Sequence, residues 1–179
     1  MKKLAKLTAL LLTGVMLLLL ASCGAAPNPG VPGGSSGLTA AEAKAKREII
    51  KAINEERQKV RMSSLQEVTA LTQLEQEFIE HFREAGTTGI PLSEANQLER
   101  ELQKKQKEAG WENTGSINYD NSNPAKLDTV YEGDTPEFRK ELIGFGFANS
   151  MDSSTALSIG VVTIEGKIYW TATTLKPIT

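Results

Sequence analysis

Apolar positions in the first half of the chain recur at steps of three and four, and those in the last segment crowd into two short runs. The first pattern predicts helices and the second strands. Thr39-Ala-Ala-Glu42 has the form of a capping box, and "AEAKAKREIIKAINEERQKV" follows it with Ile49, Ile50 and Ile53 as a narrow apolar stripe. This predicts a helix over about 40–60, interrupted by Met62-Ser-Ser64. A second helix is predicted over about 66–85 from Val68, Leu71, Leu74, Phe78 and Phe82, with Gly86 closing it. Ser93 is placed to cap a third helix, with Ala95, Leu98 and Leu102 as its sparse apolar face and Gly110 as its end.

The stretch 111–123, "WENTGSINYDNSN", reads as a polar loop with a short strand near Ile117–Tyr119. Asn123-Pro124 has the form of a helix start, and it predicts a short helix holding Leu127, Val130 and Tyr131. Thr135-Pro136-Glu137 predicts another by the same logic. "IGFGFANSMDSST" reads as a short strand followed by a loop. In "ALSIGVVTIEGKIYWTATTL" two β-branched and aromatic runs flank Glu165-Gly166, which predicts a β-hairpin. Helices first and strands last argue for an α+β fold with an antiparallel sheet.

The N-terminus adds a different chemistry. Lys2, Lys3 and Lys6 precede a mostly apolar run from Leu7 to Leu20, which is too short for a comfortable membrane span and reads as a secretory signal over 1–22. Leu20-Ala21-Ser22-Cys23 resembles the bacterial lipobox. That resemblance implies that Cys23, the only cysteine, carries the lipid and becomes the mature N-terminus, anchored in the cell membrane or in an outer membrane. Residues 24–37 hold five Gly, three Pro and nothing large, the composition of a flexible tether that runs on from Cys23. The remaining 38–179 suit one domain, stabilised by its core without disulfides. Loss of three Lys from 20 basic residues leaves 17 against 22 acidic ones, about −5. That balance excludes a basic surface for nucleic acid.

Within this domain, "IIKAINEERQKVRMSSL" resembles the opening of the CAP superfamily, the cysteine-rich secretory, antigen 5 and pathogenesis-related proteins: an apolar pair Ile49-Ile50, then Asn54, Arg57, a turn and Leu65. "SIGVVTIEGKIYWTAT" resembles the family's closing hairpin, and "TPEFRKEL" its Ser-Pro-Gly-His-Arg helix start. The resemblance covers nearly all of 45–175 and implies an α-β-α sandwich. It also implies a central cleft in which two His and two acids can hold a divalent metal. Here Phe138 stands where the motif has His. The family's Gly-Glu-Asn-Ile landmark fits "GSIN" at 115–118, which puts Ser116 in place of the acid, and a shifted alignment offers Glu112 instead. No His falls near "TTGIP". The only histidine, His81, lies in the second helix and reads as a surface residue.

The scaffold motifs are therefore expected without the polar tetrad, and neither a metal nor another cofactor is expected. Phe138, Ser116 and Glu112 are the candidate cleft-lining residues, and 144–155 is an extension that either folds over the cleft or decorates an edge. The expected role is a non-catalytic binding module for an extracellular protein, a lipid or a wall-derived ligand. The rival expectations are a hydrolase or metal enzyme with a cleft rebuilt from Glu112, His81 and Ser116, and a structural envelope protein.

Overall fold

A computed structural model describes residues 37–149 and 153–179. The signal stretch, Cys23 and all of the tether but Gly37 lie outside the described residues. The first helix, α1 (Ala40–Lys59), starts at the expected capping box: the Thr39 hydroxyl accepts from the Glu42 amide, and the Thr39 amide donates to Glu42 Oε2 at 2.8 Å. The other oxygen of that carboxylate accepts from Arg83 and from the Thr163 amide, both at 2.7 Å. One capping side chain thus ties the start of α1 to a second helix and to the sheet.

After α1 the chain turns back at residues 60–65. Asn54 braces this turn by exchanging two hydrogen bonds with the Leu65 backbone, at 3.1 and 2.7 Å. Gln66–Glu67 (β1) then pair in parallel with the start of a later strand. The second helix, α2 (Thr69–Ala85), therefore begins three residues later than its apolar pattern suggests, because the backbone of 66–68 finds its partners in the sheet. The sheet is mixed, with this one parallel pair, and not purely antiparallel as expected.

The third helix, α3 (Leu92–Glu108), has Pro91 at its N-cap, and Ser93 lies inside the first turn instead of capping it. The exposed Leu92 amide is met by Asn123 Oδ1 at 3.3 Å, so the cap comes from a distant loop. Strand β2 (Trp111–Ile117) follows, earlier and longer than expected, with a bulge at Thr114. The helix expected after Asn123-Pro124 does not form. Ala125 exchanges backbone hydrogen bonds with Ile90, the Thr129 carbonyl accepts from the Trp170 amide, and Val130–Tyr131 form β3. Sheet pairing satisfies that backbone, while Ala125 and Leu127 are buried. The next helix, α4 (Pro136–Gly144), is capped by Thr135 as expected. Residues 145–148 form a turn, and no strand is found between 144 and 155 among the described residues.

Strands β4 (Ala156–Ile164) and β5 (Lys167–Pro177) form the expected hairpin. Glu165 and Gly166 both have positive φ, +48° and +79°, as a two-residue primed turn requires. The strand order is β1-β4-β5-β2, and β3 shares the β5 edge with β2. The fold is α+β, with the sheet between two helical layers. Leu157, Ile159, Val161, Trp170 and Ala172 point to one side, where they pack with Ile49 and Ile53 of α1 and Phe138 and Leu142 of α4. Val162 and Ile164 point to the other, against Phe78, Ile79 and Phe82 of α2 and Leu102 of α3. Burial on both faces explains why β4 is apolar almost throughout. Gly160 lets α2 approach: a Cβ there would lie 2.8 Å from the Glu75 carbonyl oxygen and 2.9 Å from Ile79.

Candidate functional site

On the α1/α4 side of the sheet a groove of about 330 Å³ opens beside β2. One wall and the floor come from Thr114, Gly115, Ser116 and Ile117 of β2 and Thr174 of β5. The opposite wall is Phe145, Gly146 and Phe147 of the turn that follows α4, together with Asn149 and Ser153. None of these described lining residues has a titratable side chain. The groove offers hydroxyls, a carboxamide, backbone and two aromatic rings.

The wall is fixed from below by Arg57, which the fold buries completely. Its Nε donates to the Ser63 carbonyl at 2.9 Å, Nη1 to the Phe147 carbonyl at 2.9 Å and Nη2 to the Ser154 carbonyl at 3.3 Å. A planar guanidinium can hold three carbonyls in fixed directions, which an ammonium cannot. On the β2 side the Thr114 hydroxyl lies 2.9 Å from the Thr174 carbonyl, to which it can donate, and shares a hydrogen bond with Ser154 Oγ at 2.5 Å. Phe147 stacks on Trp170 with centroids 6.3 Å apart, and Phe145 meets the same indole edge-on at 6.2 Å. Phe145 is nonetheless 44% exposed, so an aromatic face is presented to solvent at the mouth.

The three candidate cleft residues do not converge. Ser116 is exposed and lines the groove. Phe138 is buried beneath it, in edge-on contact with Tyr131 at 5.0 Å and Trp170 at 6.0 Å. Glu112 is exposed on the same strand and pairs with Lys176 at 3.2 Å. His81 lines a different, shallow groove between α2 and α3, with Glu77, Glu101 and Lys105. Hence Glu112, His81 and Ser116 do not share one pocket. Among the described residues no group of three or more His, Cys, Asp or Glu is placed to hold a metal ion.

Two features were not read from the sequence. The first is the groove wall, although 144–155 stood out as an extension that either folds over the cleft or decorates an edge. The second is Glu75, which is fully buried between α2 and the sheet, on the face opposite the groove. Ser158 Oγ and Thr173 Oγ1 donate to its Oε2 at 3.0 and 2.9 Å, while Oε1 has no hydrogen-bond partner. Burial pushes its carboxyl up to about 7. The hydroxyls around it oppose that rise, and the charge of Glu99 on α3 adds to it. A carboxyl with such a value would suit proton transfer, but this one is sealed from solvent. Its signal in the sequence was Thr171 and Thr173 in alternation on one strand face, opposite an acid in a helix's apolar stripe.

Below Phe138, Arg139 joins α4 to α1. It pairs with Asp134 at 2.6 Å, Glu55 at 2.6 Å and Glu56 at 3.0 Å. The guanidinium beside Glu55 and Asp134 holds both carboxyls below their ordinary values. These contacts staple the start of α4 to α1. Comparison of the chain with family models, with curated proteins and with solved structures gives no match.

Proposed function

We propose that the chain is a cell-envelope lipoprotein, anchored through Cys23, whose domain is a degenerate CAP-like module that binds a ligand without transforming it. The observation that carries the reading is the groove beside β2. It is preformed, walled by aromatic rings held from below, and lined at its described positions by neutral side chains only. Binding sites are typically concave, largely preformed surfaces with a few placed polar groups. Acid–base or nucleophilic catalysis needs a titratable group within reach of the reacting atom, and the described lining supplies none. The burial of Phe138 against Trp170 supports the degenerate reading, because an apolar contact occupies the position where the resembled motif places a metal-ligating His.

The ligand class expected from the location is an extracellular protein, a lipid or a fragment of the cell wall. The test is hydrogen exchange, read by mass spectrometry, on the full-length chain in detergent. Soluble wall fragments, neutral glycans and short peptides serve as probes. Binding by one of them should slow exchange at 113–117 and 145–149 and leave the probe chemically intact. Turnover of a probe would overturn the reading, as would binding that leaves both segments unaffected.

A further inference from the structure

Helix α3 buries the smallest share of its residues among the four α-helices described: three of 17, Ala95, Leu102 and Gln106. Leu102 packs in one cluster with Phe78 and Ile79 of α2. Gln106 is fully buried, yet neither polar atom of its carboxamide has a hydrogen-bond partner, so its burial opposes the packing of α3. The helix runs back along α2. Leu98 and Glu101 lie beside His81, and Lys105 pairs with Glu77 at 3.1 Å. Gln106, one turn beyond Leu102, therefore lies at the level of Leu74 and Glu75. Glu99, on the same helix face, accepts from Asn118 Nδ2 at 3.2 Å and from the Tyr119 hydroxyl at 2.9 Å. Asn118 Oδ1 is another buried atom without a partner. The seam under α3 thus combines few apolar contacts, orphaned polar atoms and a carboxylate.

That carboxylate acts on Glu75. The strands present Glu75 with hydroxyls, Ser158 of β4 and Thr171 and Thr173 of β5, and the charge that opposes its ionisation is Glu99 on α3. We propose that α3 is a pH-responsive clasp, which stays closed on α2 while Glu75 holds its proton and lifts as a unit once that proton passes to bulk water, uncovering Leu74 and Phe78. Lifting lets water reach the Glu75 carboxylate and carries the Glu99 charge away from it. It also hydrates the Gln106 carboxamide. The contacts given up are those of Ala95 and Leu102 and the hydrogen bonds to Glu99, far fewer than unfolding the sheet would lose. Elements with few buried apolar contacts are the ones that open locally. The ends of the moving unit are fixed. Ile90 exchanges backbone hydrogen bonds with Ala125 at 2.8 and 3.0 Å, and Trp111 begins β2. Between them, Pro91 caps α3 without a side-chain hydrogen bond, and Gly110 follows it at φ +86° with open space around it. A few such positions at the ends of an element can absorb the dihedral change of a hinge.

The test is amide exchange on the full-length chain in detergent, read by mass spectrometry at pH 5.5 and pH 8 and divided by the intrinsic exchange rate at each pH. Protection in 92–108 should lie below that of β4 and β5 at both pH values. It should also fall roughly tenfold or more from pH 5.5 to pH 8, as release of one proton on opening requires. Glu75→Gln should abolish that fall and restore protection of 92–108 at pH 8. Glu99→Gln removes the opposing charge while keeping an acceptor for Tyr119, so it should raise protection at pH 8 without abolishing the fall. Protection in 92–108 equal to that of β4 and β5 at each pH would mean that Glu75 meets water only on global unfolding, and would overturn the proposal. Fast exchange in 92–108 with no pH dependence would overturn it too, as would a fall that persists in Glu75→Gln. If Glu75→Gln does not fold, Glu99→Gln decides, and unchanged protection at pH 8 in that variant overturns the clasp.

Discussion

The ring of Phe138 meets the indole of Trp170 edge-on, with centroids 6.0 Å apart and planes at 74°. The same indole carries Phe145 and Phe147, the aromatic wall of the groove. Phe138 is therefore one ring removed from the candidate site and supports it from within the core. Phe138→Ala should destabilise the protein by about 3–5 kcal/mol, as large-to-small core changes do. Phe138→His should cost roughly 1–3 kcal/mol by placing a polar ring among apolar partners. It should not confer zinc binding, since no described His, Cys, Asp or Glu cluster awaits it. Denaturant titrations and a zinc-binding assay check both. Effects within about 0.5 kcal/mol would mean that the ring is not part of the core.

Arg57 should matter as much to the groove as any residue that lines it. Removing its side chain leaves the carbonyls of Ser63, Phe147 and Ser154 without that donor in a buried setting. Arg57→Ala should cost roughly 2–4 kcal/mol. Arg57→Lys should recover part of that at most, since one ammonium cannot reach three carbonyls in the same directions. Exchange measured by mass spectrometry should speed up at 63–67 and 145–149 in both variants. Unchanged exchange at 145–149 would show that the wall is held by other contacts.

Much of the fold was legible where one residue's chemistry acts locally. Thr39 and Glu42 cap within one turn, Thr135 and Pro136 start a helix by the same means, and Glu165-Gly166 supplies the positive φ that a tight hairpin needs. Several of the misreadings involve partners distant in sequence. Asn123 was read as a cap for residues after it, and it caps α3 instead, 31 positions away. Residues 125–131 looked helical, and Ile90 and β5 drew them into extended pairing. The groove was half legible. Ser116 was singled out, but Phe145 and Phe147 join it because Trp170 carries their rings and Arg57 reaches 90 residues along the chain to hold that turn. Asn54, Arg57 and Leu65 were chosen from a resemblance, and their physical role is to fix the turn after α1 and the wall beyond it.

The proposed lipid anchor can be tested separately from the domain. Cys23 follows Leu20-Ala21-Ser22 after an apolar run. Full-length protein expressed in a bacterium should partition with membranes, and Cys23→Ala should lose most of that partition, because two acyl chains hold firmly where other contacts are weak. Metabolic labelling with a fatty-acid probe should mark only the cysteine form. Equal recovery of both forms in the soluble secreted fraction would refute the anchor.

Glu75 gives the protein a pH dependence of unusual sign. Its carboxyl titrates near 4.5 when exposed in the unfolded chain and near 7 in the fold. Below 4.5 both states hold the proton, and the stability that goes with a neutral buried carboxyl is fully present. Between 4.5 and 7 the folded protein keeps a proton that the unfolded chain has released, so stability falls as pH rises. The loss is complete above about 7 and amounts to roughly 3 kcal/mol. Glu42, Glu55, Glu56 and Asp134 are held below their ordinary values and act in the other direction, losing their contribution as pH falls through the acid range. Stability should therefore peak near pH 5. Glu75→Gln keeps a polar neutral group against Ser158 and Thr173, so it should flatten the slope between pH 5 and 7 and raise stability at pH 8 relative to the parent. Glu75→Ala should instead be destabilising at pH 5, since it strips both hydroxyls of their acceptor and leaves a void. Urea titrations at pH 5, 6, 7 and 8 separate these outcomes. A parent protein whose stability rises steadily from pH 5 to 8 would show that Glu75 is ionised in the fold.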